Sequence, residues 1–281
     1  MFDLKELYNE HWGRNYGDTE EKETPEFWSK MSKMFAKKAH TPEARNDTET
    51  FIKKFNWNKE ETVLDIAAGP GTYTIPLSKY VKEITATDFS LEMLNELRKQ
   101  ADIEHQYNIK TVCGRWLDLQ FTKNEKYNTV LCLNCLGVIT CDNNHESHLI
   151  ETLKKINSIA LDRIIILIPH ADSALDDKMQ AILKTRELPI ERQRIATLYF
   201  AMVECGMLPS LEIIQRPFRW IFSSIDEAIE KIIEKSGQKI IDKTALNELK
   251  EYLSTILIKK ENNTLFLSYK TKQALFTYIK K

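Results

Sequence analysis

The sequence predicts an α/β fold: a doubly wound sheet, mostly parallel, with helices on both faces, an antiparallel last strand and a helical cap. Three observations carry this expectation. From about residue 59 to residue 170, strand-like runs alternate with helical stretches, as βαβ units require. Arg163-Ile-Ile-Ile-Leu-Ile168 is an almost unbroken apolar run, the pattern of a strand buried on both sides. Beyond it the alternation stops, and helices are interspersed with further β-rich segments.

Taken in order, residues 1–24 are polar and are expected to be irregular. PEFWSKMSKMFAKKA, starting at Pro25, places Phe27, Trp28, Met31, Met34 and Phe35 on one broad helical face. A second helix is expected from Asp47 to Phe55. Then TVLDI reads as a strand, TYTIPLSKY as a helix, EITATD as a strand, SLEMLNELRKQA as a helix and IKTVC as a strand. YNTVLCLN is the fourth strand, HESHLIETLKKINSIA its following helix, and RIIILI the fifth strand. Helices at about 172–186 and 190–206 precede the strand LEIIQRPFRW. Two more follow, from Ser224 and from Lys243. TLFLSYKTKQALFTYIK reads as two strands around a Lys-Thr-Lys turn, with Gln273–Ile279 inserting antiparallel into the sheet. The expected division is a helical segment, 1–58, covering the site, and a domain, 59–281, whose cap helices are about 172–206 and 224–258.

The 281 residues suit one large domain or a domain with a substantial cap. The apolar share is 42% and charged residues make up 29%, ordinary for a soluble globular chain. With 40 basic and 41 acidic residues the net charge is -1, which argues against a nucleic-acid partner. MFDLKELYNEHWGRNYG has no apolar core of a signal peptide, and no run approaches the ~20 apolar residues that span a bilayer. Five cysteines in no even framework suit reduced thiols in a cytosol.

VLDIAAGPGTYTIPLSKY, from Val63 to Tyr80, raises the functional question. The first strand ends at Asp65-Ile66 and must turn sharply through Ala67-Ala68-Gly69-Pro70-Gly71 into a helix. Small residues there let backbone approach a ligand, and the helix N-terminus behind them offers free N–H groups. In open parallel sheets ligands bind beyond the carboxyl ends of the strands, at the point where strand order reverses. The second strand ends in Asp88, and an acid there can accept both vicinal hydroxyls of a ribose. The residues alone therefore indicate a nucleoside-containing ligand. A dinucleotide turn would want a third glycine, but Thr74 stands in its place. Asp65 would repel a phosphate and suits an ammonium group.

This stretch resembles motif I of the class I S-adenosylmethionine-dependent methyltransferases, with Ala67 where the family usually has its first glycine. The resemblance continues through TATDFSLEMLNEL as the second motif and YNTVLCLNCLG as the fourth strand, with Asn128 where Asp is usual. It implies a Rossmann-like sheet and S-adenosyl-L-methionine as cofactor. Residue by residue, it implies that Gly69 and Gly71 admit the methionine moiety and ribose. Asp65 would anchor the amino group, Asp88 the ribose hydroxyls, and Phe89 would lie against the adenine. Asp118 would contact the adenine amine, with Trp116 as a flanking wall. Asn134 would face the methyl-transfer region. Trp28 and Phe35 fit, loosely, the family's aromatic lid.

The acceptor is expected to be a small molecule in a pocket under the cap, with Tyr199, Trp220 and Trp28 as candidate contacts. His170, just past the fifth strand, is a candidate general base, or a structural residue after Pro169. Methylation of RNA or protein is the alternative; the Asn-Pro-Pro-Tyr tetrapeptide of base or glutamine methylation is absent, with Asn134-Cys135-Leu136-Gly137 in its place. A non-catalytic nucleoside-binding module and a dinucleotide oxidoreductase are rivals from other classes. Cys132, Cys135, Cys141, His145 and His148 include a Cys-x2-Cys spacing that suits zinc. Buried thiols in a strand are the preferred reading, and no metal is expected.

Overall fold

A computed structural model describes residues 4–12, 24–141, 146–170, 175–184, 190–236, 241–259 and 264–280. In chain order the elements are α1 (Leu4–Trp12), α2 (Pro25–Ala39), α3 (Pro42–Ile52), β1 (Thr62–Ile66), α4 (Thr74–Ser78), β2 (Glu83–Asp88) and α5 (Leu91–Ile103). They continue with β3 (Ile109–Cys113), β4 (Tyr127–Leu133), α6 (Leu136–Ile139), α7 (Leu149–Ile159), β5 (Ala160–Pro169), α8 (Asp177–Ile182) and α9 (Ile190–Glu204). The last are β6 (Ser210–Phe222), α10 (Ile225–Ser236), α11 (Lys243–Ile256), β7 (Ile258–Lys259) and β8 (Leu265–Ile279).

The sheet runs β3-β2-β1-β4-β5-β8-β6, with β7 paired to β8. β1 pairs in parallel with both β2 and β4, so strand order reverses beside β1. β5 and β8 run antiparallel: Lys280 N–H donates to Asp162 O, and His170 N–H to Lys272 O, so one number falls as the other rises. Ser210 bonding Thr277 O and Thr271 bonding Arg216 O give the same antiparallel sense for β6 and β8. The expected doubly wound, mostly parallel sheet with an antiparallel last strand is therefore the observed one.

Helix starts follow local chemistry. Thr24 and Thr41 accept the N–H of Phe27 and Ala44, each followed by a proline whose missing N–H costs nothing in the first turn. Ser90 caps α5 through Met93 N, and Asp176 and Asp242 cap α8 and α11. Central strands are dry: Val63, Leu64, Ile84, Val130 and Ile164 to Leu167 are fully buried.

Two compact units divide the chain. The first comprises Met1–Ile168, Arg194–Glu212 and Leu275–Lys281. The second comprises Pro169–Gln193 and Ile213–Ala274, around a cluster that includes Met179, Phe222, Ile232, Leu249 and Leu253.

Several expectations change. Residues 4–12 are not irregular but form α1, which buries Tyr8, His11 and Trp12. Its partners lie far along the chain: Trp12 Nε1 donates to Thr197 Oγ1 at 2.8 Å, Tyr8 OH to Glu204 at 3.0 Å, and Arg194 Nε to His11 O at 2.6 Å. The second helix begins at Pro42, not Asp47, because Thr41-Pro42 is a stronger start signal. On α2 the buried residues are Ser32, Ala36 and Ala39, not the large apolar ones; Met34 is exposed. Small residues let α2 pack closely on α5, to which Ser29 also bonds through Ser90. The C-terminal stretch is one strand, not two around a turn. Lys270-Thr271-Lys272 stays extended because Thr271 and Lys272 bond into β6 and β5. The cap also divides differently: α9 from Arg194 onward belongs to the first unit, while α8, α10 and α11 belong to the second.

Candidate cofactor site

The turn after β1 is built from left-handed backbone. Ala67, Gly69 and Gly71 have φ of 51°, 57° and 86°. Such angles cost a residue with a Cβ roughly 1–2 kcal/mol and glycine almost nothing, so Ala67 carries strain. The two glycines serve different ends. A Cβ on Gly71 would meet Ile75 Cδ1 at 2.8 Å and Leu97 Cγ at 2.9 Å, so that glycine is required by packing. A Cβ on Gly69 would meet nothing within 4 Å and would enter open space.

Two carboxylates stand behind this turn. Asp88 accepts Gly69 N–H on Oδ2 and Ser90 N–H on Oδ1, both at 2.9 Å. Burial pushes its pKa up to about 6, against the pull of those bonds. Asp65 accepts the Thr74 hydroxyl at 2.6 Å. Burial raises it to about 7, opposed by the Thr74 bond and reinforced by the nearby Asp88 charge. Thr74, in the position of the missing third glycine, thus ties the start of α4 to the end of β1.

A cavity of about 350 Å³ opens beside this edge. Ala67, Asp88, Phe89, Trp116 and Asp118 line it, as the sequence reading grouped them. Gly69, Gly71, Asp65 and Asn134 are not in its lining. Asp65 and Gly71 lie buried under the turn. Asn134 has φ of 60°, accepts no place in the cavity wall, and donates from Nδ2 to Tyr73 OH at 3.4 Å. Asn128, at the other end of β4, accepts Thr62 N–H and donates to Asp162.

Lining residues that sequence reasoning did not assign to the site include Arg115, Leu117, Val138, Ile139, Cys141, His148 and Glu151. His148 Nδ1 lies 3.2 Å from Glu151 Oε2. The short helix α6 and the Cys141–Ser147 bridge bring this segment back to the sheet edge. Nothing in local periodicity announces it.

Candidate acceptor residues are dispersed. Trp28 lies on α2 against Phe27 and Phe35, with ring centroids 5.5 Å away in each case. It is absent from the cavity lining, as are His170, Tyr199 and Trp220. Tyr199 is half-buried on α9 in the first unit, while Trp220 packs on the core cluster of the second. His170 closes β5 through its backbone N–H to Lys272.

The cysteines are packed rather than clustered around a centre. Cys132 and Cys135 sulfurs lie 3.3 Å apart, and the Cys135 thiol donates to Ile66 O at 3.2 Å. The Cys132 sulfur and burial push the Cys135 thiol well up from its usual pKa. Among the described residues no three His, Cys, Asp or Glu side chains converge as a metal site; His145 lies outside them.

Comparison with known proteins agrees with this geometry. Residues 63–156 match the profile of a family described as a methyltransferase domain. A Bacillus halodurans C-125 protein named as a candidate methyltransferase shares the fold at a TM-score of 0.51 and 16% identity, over 83% of this chain and 98% of that one. A SAM-dependent methyltransferase from Aquifex aeolicus matches at a TM-score of 0.48 and 17% identity, over 65% of this chain and 92% of that one. The 23S rRNA (uracil(1939)-C(5))-methyltransferase RlmD of Histophilus somni (strain 129Pt) is 29% identical over 66 residues, 24% of this chain. That match spans only 15% of the relative's length. With the β1 turn and the acid ending β2 in place, residues 63–156 are similar to a methyltransferase domain, on a fold shared with the Bacillus halodurans protein.

Proposed function

We propose that this chain transfers a methyl group from S-adenosylmethionine to a small-molecule acceptor. The cofactor suits the residues present. The space before Gly69 is open where a side chain would block it. The Trp116 indole N–H, on a cavity-lining residue only 4% exposed, has no hydrogen-bond partner among the described residues. A buried donor of that kind normally finds an acceptor. Asp88 would hold the ribose hydroxyls, Phe89 and Trp116 would flank the base, and Asp118 would take its amine. When bound, the cofactor supplies an electrophilic methyl on a sulfonium. The protein's share is alignment for in-line displacement and exclusion of water, worth several kcal/mol.

The observation that carries the small-molecule reading is a second cavity of about 530 Å³ in the same unit. Leu4, Tyr8, Ile150, Lys154 and Glu204 line it, and it shares His148 and Glu151 with the first. Its volume is within the range of small-ligand pockets. The near-neutral net charge supports the same reading over RNA. No helix among the described residues is long and apolar enough to cross a membrane. Incubation of the protein with methyl-labelled S-adenosylmethionine and a cell extract, split into small-molecule, RNA and protein fractions, tests the proposal. Label in the small-molecule fraction supports it; label confined to RNA or protein overturns it.

A further inference from the structure

We propose that Lys155 is a positioning residue that sets the cofactor's base preference by holding the 115–119 segment in place. Its ammonium group has three donors, and all are used on one target. Nζ donates to Trp116 O at 2.5 Å, Leu117 O at 3.1 Å and Leu119 O at 2.5 Å. It also lies 4.8 Å from the Trp116 ring centroid and 5.7 Å from that of Phe121. Because peptide units are planar, fixing successive carbonyls fixes the direction of the side chains between them. Those side chains, Trp116, Leu117 and Asp118, form one wall of the cofactor cavity.

Stability alone does not require this lysine. The segment already closes its own turn, with Asp118 N–H and Leu119 N–H both donating to Arg115 O. Carbonyls at a surface turn can be satisfied by water. What the lysine adds is a fixed link to α7, which carries Glu151 and is preceded by His148, both in the lining of the same cavity. It also places a cation among the carboxylates of Glu151 and Asp118, which stabilise its charge while burial works against it. Without it, Glu151 and Asp118 in the cavity lining both lose a nearby positive charge. A base-reading wall would lose both its shape and its charge balance.

The test is calorimetric binding of S-adenosylhomocysteine and of its inosine analogue, in which oxygen replaces the purine amine, to the full chain. The wild type is expected to prefer the adenine compound. In Lys155→Met, affinity for it is expected to fall about tenfold or more, the scale of one lost charge-assisted hydrogen bond, and the preference to narrow by several-fold. A merely structural lysine would weaken both ligands equally. If Lys155→Met does not fold, Lys155→Arg decides alone. It keeps the charge, but a planar fork cannot place N–H groups on three converging carbonyls, so the preference must still narrow. A wild type without preference, equal losses for both ligands, or an unchanged preference in Lys155→Arg would each overturn the assignment.

Discussion

The backbone N–H of Gly69 donates to Asp88 Oδ2 at 2.9 Å, joining the turn after β1 to the end of β2. The other carboxylate oxygen holds Ser90 N–H at the start of α5. Each oxygen of a carboxylate can accept a second donor. Asp88 therefore shapes the turn and still has capacity for two hydroxyl groups from the cavity it lines.

The two glycines separate packing from ligand access. Gly69→Ala and Gly71→Ala share the left-handed strain of roughly 1–2 kcal/mol. Gly71→Ala adds a clash with Ile75 and Leu97, worth about 1–3 kcal/mol more. Denaturant titration is expected to show Gly71→Ala as clearly the less stable. Calorimetry is expected to show that Gly69→Ala, though better folded, binds S-adenosylhomocysteine weakly.

Ala67 invites the converse change. Its φ of 51° suits glycine, so Ala67→Gly relieves strain that exceeds the added freedom of the unfolded chain. The expected gain is about 0.5–1 kcal/mol in unfolding free energy. A loss of stability would show that this turn is not held in the left-handed conformation in solution.

The carboxylates set a pH dependence. Asp65 and Asp88 are raised to about 7 and about 6 from 3.8. The folded state then binds protons more tightly than the unfolded one. Their contribution to stability is full below about pH 4 and is lost as pH rises through 6 to 7. Binding runs the other way, because ribose hydroxyls need an ionised acceptor. Affinity is expected to rise as pH passes upward through about 6. Melting curves from pH 4 to 8 check the first point, and the slope is expected to flatten in Asp65→Asn, whose amide oxygen can still accept the Thr74 hydroxyl.

α1 is held by its far contacts. Trp12→Phe keeps an aromatic ring, smaller than the indole, and removes the buried bond to Thr197. The expected cost is about 1–3 kcal/mol from the lost bond and the smaller buried ring; the Thr197 hydroxyl keeps its bond to Arg194 O. Urea unfolding measures it, and an unchanged midpoint would mean that α1 does not dock.

The sequence made the sheet and the turn legible because both are written locally. Apolar runs of strand length, the helical stretches starting at Pro25 and Ser90, and Asp88 closing β2 are readable within a few residues. Longer-range features were not. α1 reads as polar because Tyr8 and Trp12 find Glu204 and Thr197 only in the fold. β8 reads as a hairpin because the bonds that keep Thr271 and Lys272 extended come from other strands. Asp88, Phe89, Trp116 and Asp118 stand at or after strand ends, where topology puts ligands, and they line the cavity there. His148 and Glu151 reach the cavity through the α6 excursion, which no periodicity announces. Spacing alone could not show that Gly71 is also required by packing against Ile75 and Leu97.

The central claim is that the cavity at the ends of β1 and β2 holds S-adenosylmethionine through Asp88. Titration calorimetry of S-adenosylhomocysteine into the wild type and Asp88→Asn tests it most directly. Asparagine keeps one oxygen for the Gly69 N–H but sets its NH2 against the Ser90 N–H, so a thermal melt of each protein accompanies the titration; the charged acceptor for the ribose is lost. The expected result is one site per chain in the wild type and an affinity lower by about 1–3 kcal/mol, roughly tenfold to a hundredfold, in Asp88→Asn. Absence of binding in the wild type, or equal affinity in the two proteins, would contradict it.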